Sequence, residues 1–276
     1  MEFLLSVLRG LGQIMLQRNA ATGVGFVLAI AINSPLAAFA AFLGSVAGTA
    51  LAWPGKFPPD EIRDGLYGFN AALVGIATVH FYPVSILAAA AGICGIVFAT
   101  GLMRAMQLRS LNPYTFPFVL TVWLMFLLIP PGQATGAGSM ASGYALADGF
   151  LQAFGQVMFQ GNSLTGLVFL VAILINSTRC AGFAALGAAV AVVTAAVLDW
   201  PVDRLVAGIH GYNAVLSAIA LALVARGPVL PLIGIALSIV ITRAFLVSGV
   251  PALTFPFVLA TWIVLIARRF VPGEAR

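Results

Sequence analysis

Six side chains in apolar stretches of this sequence carry chemistry without charge: Gln13 and Gln156, Thr115 and Thr254, Asn70 and Asn213. A glutamine amide offers a carbonyl acceptor and two N–H donors, which suits a neutral ligand bearing both kinds of group. Burying an amide or hydroxyl without a partner costs a few kcal/mol, so each of the six is either satisfied within the fold or faces a polar path. For the glutamines the structural alternative is bridging of nearby backbone. For Thr115 and Thr254, each ahead of Phe-Pro-Phe, it is capping of the helix that follows; a capping hydroxyl can also face a pore.

Gly65-x-x-Gly68 and Gly208-x-x-Gly211 permit close backbone approach, and each is followed by an aromatic, Phe69 or Tyr212, and then Asn. Tight packing explains the glycines; the further expectation is that Phe69, Tyr212 and Phe159 wall a flat slot. His80 and His210 are expected to pack with their rings hydrogen-bonded, because a proton relay needs carboxylates nearby. The eight acidic residues, Asp148 among them, can all be placed in loops or at helix ends. The apparent lack of an intramembrane ionisable group favours passive conduction of an uncharged solute. Cys94 and Cys180 have no metal-ligand spacing and read as buried free thiols.

These residues come in pairs because the chain repeats itself. Gly12-Gln13-Ile14-Met15-Leu16-Gln17-Arg18-Asn19 is echoed by Gly155-Gln156-Val157-Met158-Phe159-Gln160-Gly161-Asn162, an offset of 143 that also pairs Asn33-Ser34 with Asn176-Ser177 and Gly65–Ala71 with Gly208–Ala214. Farther on the offset falls to 139, relating Arg104, Thr115-Phe116-Pro117-Phe118 and Trp123 to Arg243, Thr254-Phe255-Pro256-Phe257 and Trp262. Three blocks in one register mark an internal duplication. The first half is expected over 1–132, a Gly-, Ala- and Ser-rich link over 133–149 and the second half over 150–276.

The elements that must position the pairs lie in lipid. Of 276 residues, 62% are hydrophobic and 8% charged, and the mean hydropathy is +1.09, which excludes a soluble domain of this size. The thirteen basic residues behind the net charge of +5 are scattered, so nucleic acid is not an expected partner. Charge-free stretches such as 65–103 and 205–225 leave room for membrane spans of roughly 20 residues. Punctuation by Gly, Pro and charge predicts a short re-entrant half-helix near 4–17 and spans near 20–33, 35–53, 65–82, 84–106 and 115–130, with the second half-helix near 146–160. Five spans per half is odd, so the second half enters the membrane upside down, giving inverted repeats with a pore at their interface. Arg9, Arg268, Arg269 and Arg276 place both termini in the cytoplasm.

In both halves the sequence resembles the urea transporter family. The likeness rests on the ordered set Gln-(Val/Ile)…Asn, Gly-Leu-Tyr-Gly-Phe-Asn-Ala-Ala-Leu-Val-Gly at 65–75, and Thr-Phe-Pro-Phe. It implies an all-α polytopic homotrimer in a bacterial inner membrane, each subunit holding a narrow slot through which urea passes in single file down its gradient, without cofactor or metal. It would set Gln13 and Gln156 at the two outer binding sites and Thr115 and Thr254 at the central constriction. Phe69, Tyr212 and Phe159 would form the aromatic walls, and Ile14, Val157, Leu73 and Leu216 the apolar lining. Two departures are visible. Leu16 stands where an aromatic is expected opposite Phe159, and the family's Asn-Pro is Asn19-Ala20 and Asn162-Ser163.

Two other readings remain at this stage. A slot with one aromatic wall missing suits ammonia, water or another small amide. An intramembrane enzyme would need Ser217 within hydrogen-bond reach of His210 in a water-filled cavity; the sequence has no Gly-x-Ser-x-Gly elbow.

Overall fold

The helices of this chain begin where a short polar side chain precedes an apolar run. Asn19 Oδ1 accepts from the Thr22 N–H at 3.1 Å, and Asn162 Oδ1 from that of Thr165 at 3.0 Å. Ser34 and Ser177 cap in the same way through the Ala37 and Cys180 N–H groups. Each such cap satisfies an orphan donor of the first turn and contributes ~1 kcal/mol.

The computed structural model describes residues 1–54, 57–132 and 144–270. The first half contains α1 (Glu2–Gln13), α2 (Ala20–Asn33), α3 (Pro35–Ala52), α4 (Pro59–Arg63), α5 (Phe69–Phe81), α6 (Ile86–Gln107) and α7 (Phe116–Leu128). The second contains α8 (Ala145–Gly155), α9 (Ser163–Asn176), α10 (Thr178–Val197), α11 (Val202–Val206), α12 (Tyr212–Val224), α13 (Val229–Ser248) and α14 (Phe255–Arg268). Helix α8 takes up the last five residues of the segment that the sequence assigned to the link; 133–143 and the terminal 271–276, including Arg276, lie outside the described residues. The short helices α4 and α11 have no counterpart in the sequence reading.

Helices α3, α6, α10 and α13 are long and apolar enough to cross a membrane. Helices α2, α5, α7, α9, α12 and α14 have 13 or 14 residues. At 1.5 Å per residue each reaches ~20 Å, less than the ~30 Å hydrocarbon thickness. The stretch 65–82 is shorter as helix than the sequence suggested because Gly65, at φ +78°, turns the chain before α5 begins. A Cβ there would stand 2.2 Å from the Gly10 nitrogen of α1, and Gly208, at φ +70°, meets Ala153 of α8 in the same manner. The glycines therefore serve both the turn and the close approach.

Helices α1 and α8 are cut short by bulky residues in the left-handed region, Leu16 at φ +61° and Phe159 at φ +58°. Side chains of this size rarely adopt that conformation, which costs roughly 1–2 kcal/mol. In α8 the last turn tightens to a 3-10 helix over Gln156–Met158 before the reversal.

Contacts between the halves are reciprocal. Asn33 Nδ2 donates to Gln160 Oε1 at 2.8 Å, and Asn176 Nδ2 to Gln17 Oε1 at 2.8 Å. Thr22 Oγ1 donates to the Ala172 carbonyl at 3.2 Å and Thr165 Oγ1 to that of Ala29 at 3.1 Å. Trp123 Nε1 reaches the Pro251 carbonyl, and Trp262 Nε1 that of Asn112, both at 2.8 Å. Such exchange, i to j together with j′ to i′, is the signature of a two-fold relationship. Three residues touch their own equivalents: the Phe26 and Phe169 rings lie 4.8 Å apart, the Phe116 and Phe255 rings 6.3 Å apart, and Thr115 meets Thr254.

One sequence expectation is corrected and another is refined. Cys180 is buried but Cys94 is exposed, on the outward side of α6 beside exposed Ile93 and Val97, a face suited to lipid. Asp148 does lie in the first turn of α8, yet it is 1% exposed and accepts a hydrogen bond from Ser163 Oγ at 2.7 Å. The carboxyl group is at a helix end, as the sequence placed it, and is buried there.

Candidate solute pore

The two glutamines sit where α1 and α8 run out. Gln13 closes α1 and its Nε2 donates to the Asp64 carbonyl at 3.0 Å. That bond is the backbone bridge named above as the structural alternative, and it uses only the amide's donor side. Gln156 follows α8 directly, half-exposed.

Each glutamine borders a hollow. One of about 450 Å³ is lined by Gln13, Leu16, Leu66, Phe69, Pro113 and Tyr114, together with Glu61 and Asn112. The other, of about 230 Å³, is lined by Gln156, Phe159, Ile209, Tyr212, Ala252 and Leu253, together with Val157, His80 and Thr254. The first six residues of the two sets are equivalent one by one under the offsets of 143 and 139. The same place in each half thus forms an open, partly polar cavity.

Thr115 and Thr254 stand between the halves. Both are buried, and their hydroxyl oxygens lie 2.6 Å apart in a direct hydrogen bond. Neither caps its helix, which corrects the capping alternative. Asn70 and Asn213 do that work from another element: Asn70 Oδ1 accepts from the Phe118 N–H at 3.0 Å and Asn213 Oδ1 from that of Phe257 at 3.1 Å. Their amide nitrogens hold the preceding loops, Asn70 Nδ2 at the Tyr114 carbonyl and Asn213 Nδ2 at that of Leu253. Each asparagine thereby spans the turn that carries the threonine. Tyr114 and Leu253, at φ +47° and +45°, are the residues bent to allow it.

Phe69 borders the larger hollow and Tyr212 the smaller. The Tyr212 hydroxyl donates to the Leu253 carbonyl at 2.6 Å. Phe159 stacks on His80, ring centroids 4.8 Å apart and planes 26° apart, and meets Phe81 edge-on at 5.3 Å. Ile14, Leu73 and Leu216 are closed to solvent and border neither hollow. The structure thus brings nine of the twelve sequence-predicted residues to the hollows or to the threonine bond and places these three in the core.

The sequence missed the ion pairs in the first half, one of them made by Glu61 in the lining of the larger hollow. Arg18 pairs with Asp64 at 2.8 Å, and Arg104 with Glu61 at 3.6 Å, while the Tyr67 hydroxyl donates to Glu61. Gln17 and Gln160 were visible as repeat partners but not as the residues that lock the halves. Their side chains are buried, each donating to its own half-helix end, at Met15 and Met158. Buried polar residues adjoining Gln13 and Gln156 in both copies were the available signal.

His210 departs from expectation. Both its ring nitrogens and the Ser217 hydroxyl are buried with no hydrogen-bond partner among the described residues, so the two are not bonded to each other. The His210 ring instead packs on Trp200 at 4.9 Å, and the Arg243 guanidinium lies over the Trp200 ring. The contact required by the intramembrane-enzyme reading is missing.

Residues 4–269 match the sequence profile of a family described as urea transporter. The chain belongs to the urea transporter family. It is similar to urea transporter 1 of Ovis aries, 26% identical over an alignment that covers 96% of this chain and 77% of the relative. Against urea transporter 1 of Rattus norvegicus the identity is 26%, covering 80% of this chain and 63% of the relative. Membership in the urea transporter family makes this an all-helical, membrane-spanning transport protein that carries urea, and not an enzyme.

Proposed function

We propose that this protein is a passive channel for urea, with the solute moving in single file from one glutamine-bearing hollow to the other past the threonine pair. The reading is carried by one observation: two equivalent cavities, each offering an amide beside aromatic rings, flank a buried pair of hydroxyls. A planar neutral molecule can set its faces against aromatic walls and its edges against amide and hydroxyl groups. An ion would lose hydration against a lining that gives no counter-charge at the threonines.

In this reading Gln13 and Gln156 bind at the outer sites, Thr115 and Thr254 form the constriction, and Phe69, Tyr212 and Phe159 are the walls. Leu16 takes the place of the fourth wall. Val157 supplies apolar lining at the Gln156 hollow, and Ile14, Leu73 and Leu216 pack behind the walls. A second reading, a channel that also admits short amides, is favoured by Leu16, because an aliphatic side chain there widens the Gln13 hollow.

The reciprocal contacts support inverted repeats: two halves with an odd number of spans each, related by an axis in the membrane plane. Both termini then share one side, the cytoplasm by the positions of Arg9, Arg268 and Arg269. The homotrimer and the bacterial inner membrane rest on the family likeness read from the sequence; the relatives named above are mammalian. Labelling of single cysteines at Glu2 and Phe270 from one face of sealed vesicles tests the topology, and native mass measurement tests the trimer.

The deciding experiment is stopped-flow light scattering on proteoliposomes challenged with urea, acetamide and ammonium gradients. Fast saturable urea entry without ion current is expected. Urea entry no faster than in empty liposomes, with the protein folded, would overturn the proposal.

A further inference from the structure

The two hollows are equivalent by position but not by content. At the Gln156 end, His80 reaches from α5 of the first half and stacks on Phe159 at the tail of the second half's pore helix. The residues related to this pair by the offset of 143 are Leu223 and Leu16. An aromatic stack at one end is therefore matched by two leucines at the other. The cavity volumes differ in the same sense, about 230 Å³ where the stack stands and about 450 Å³ at the Gln13 end, whose lining includes Leu16 while Leu223 is exposed outside it.

Phe159 needs support of this kind. Its backbone is held at φ +58°, outside the region a phenylalanine prefers, and its ring projects into a cavity. On one flank Phe81 presents an edge at 5.3 Å; the near-parallel His80 ring covers a face. Offset-stacked aromatic pairs contribute beyond simple burial and fix ring orientation. An aliphatic side chain in place of His80 would fill space yet remove the flat face, leaving the ring plane held only by the T-shaped contacts with Phe81 and Phe118.

We infer that His80 is a positioning residue for solute selection, acting through Phe159, and that discrimination between urea and bulkier amides is made at the Gln156 end of the path. The inference rests on the urea-channel reading. It makes the Gln13 end a permissive vestibule and the His80–Phe159 stack the filter.

The test compares acetamide and urea permeability in proteoliposomes for the wild type, His80→Leu, His80→Phe and Leu223→His. His80→Leu should raise the acetamide-to-urea ratio at least threefold. His80→Phe, which keeps a flat ring against Phe159, should hold the wild-type ratio. Leu223→His, at the related position of the other half, should also leave the ratio unchanged.

An unchanged ratio in His80→Leu overturns the inference. So does a change in His80→Phe equal to that in His80→Leu, since stacking would then not be the property that matters. If His80→Leu fails to fold, the comparison of His80→Phe with Phe159→Leu decides, the latter being required to raise the ratio. Failure of the wild type itself to conduct urea would sink the channel reading instead, so the two failures are distinguishable.

Discussion

Thr115 Oγ1 and Thr254 Oγ1 lie 2.6 Å apart, each 2–3% exposed, at the place where the two halves of the chain meet. The hydroxyls are equivalent under the repeat, so each is the other's partner. Replacing one by valine leaves its mate buried and unpaired, which costs ~1–3 kcal/mol, whereas replacing both removes donor and acceptor together. Thr115→Val and Thr254→Val should each lower thermal stability, and the double variant should be more stable than the sum of the single losses. All three should slow urea entry. Additive thermal losses in a double-mutant cycle would count against a direct bond.

The glutamines separate on a different measurement. Gln13→Leu removes a bond to the Asp64 carbonyl as well as an amide from the larger hollow, so it should lower both urea flux and stability, the latter by ~1 kcal/mol. Gln156→Leu should lower flux with a smaller thermal effect. Normal urea flux in both variants, read by stopped-flow scattering, would remove the glutamines from the path.

Asn70→Ala strips the N-cap acceptor from Phe118 and the donor from the Tyr114 carbonyl together. A lost cap alone costs ~1 kcal/mol. The expected result is a lower melting temperature combined with slower urea entry, because the loop that aims Thr115 loses its tie. Asn213→Ala should behave alike through Phe257 and Leu253. A melting temperature unchanged in both would contradict the capping role.

Leu16 already holds the backbone conformation that carries a phenyl ring at Phe159, φ +61° against +58°. Leu16→Phe should therefore fold and narrow the larger hollow. Acetamide entry is expected to fall more than urea entry; equal effects on the two solutes would mean that residue 16 does not face the path.

The buried Asp148 is tested through its neighbour. Ser163→Pro keeps a residue favoured at the first position of a helix behind the Asn162 cap, but deprives Asp148 of the hydroxyl at 2.7 Å. Taking a partner from a buried polar group costs ~1–3 kcal/mol, so a melting temperature below that of the wild type is expected. Ala20→Pro, the related change in the first half, where residue 5 is Leu, should be neutral or stabilising. Equal outcomes at the two sites would show that the Asp148 bond adds nothing.

Much of this architecture was legible because duplication writes each constraint twice. Gln13 and Thr115 gained meaning from Gln156 and Thr254, and Gly65 from Gly208. The legible features were those that depend on one residue's own backbone or side chain. Features made by two distant residues were hidden. That Asn70 caps α7 across 48 positions, leaving Thr115 to bond with Thr254, follows from tertiary placement alone. For Asp148 the helix-end position was readable, but its burial depends on packing around α8. His80 was read only as a packing residue because the repeat, which exposed the other candidates, gives it no polar twin.

The crossed amide bonds from Asn33 to Gln160 and from Asn176 to Gln17 bear on how the molecule is made. Gln17 is completed by a residue 159 positions later, so a ribosome delivering the chain from its N-terminus releases the first half with that acceptor unanswered. Neither half expressed alone could finish its own lock, whereas the two supplied as separate polypeptides could recognise each other through it. The chain is built like two subunits that need one another and happen to share a single message.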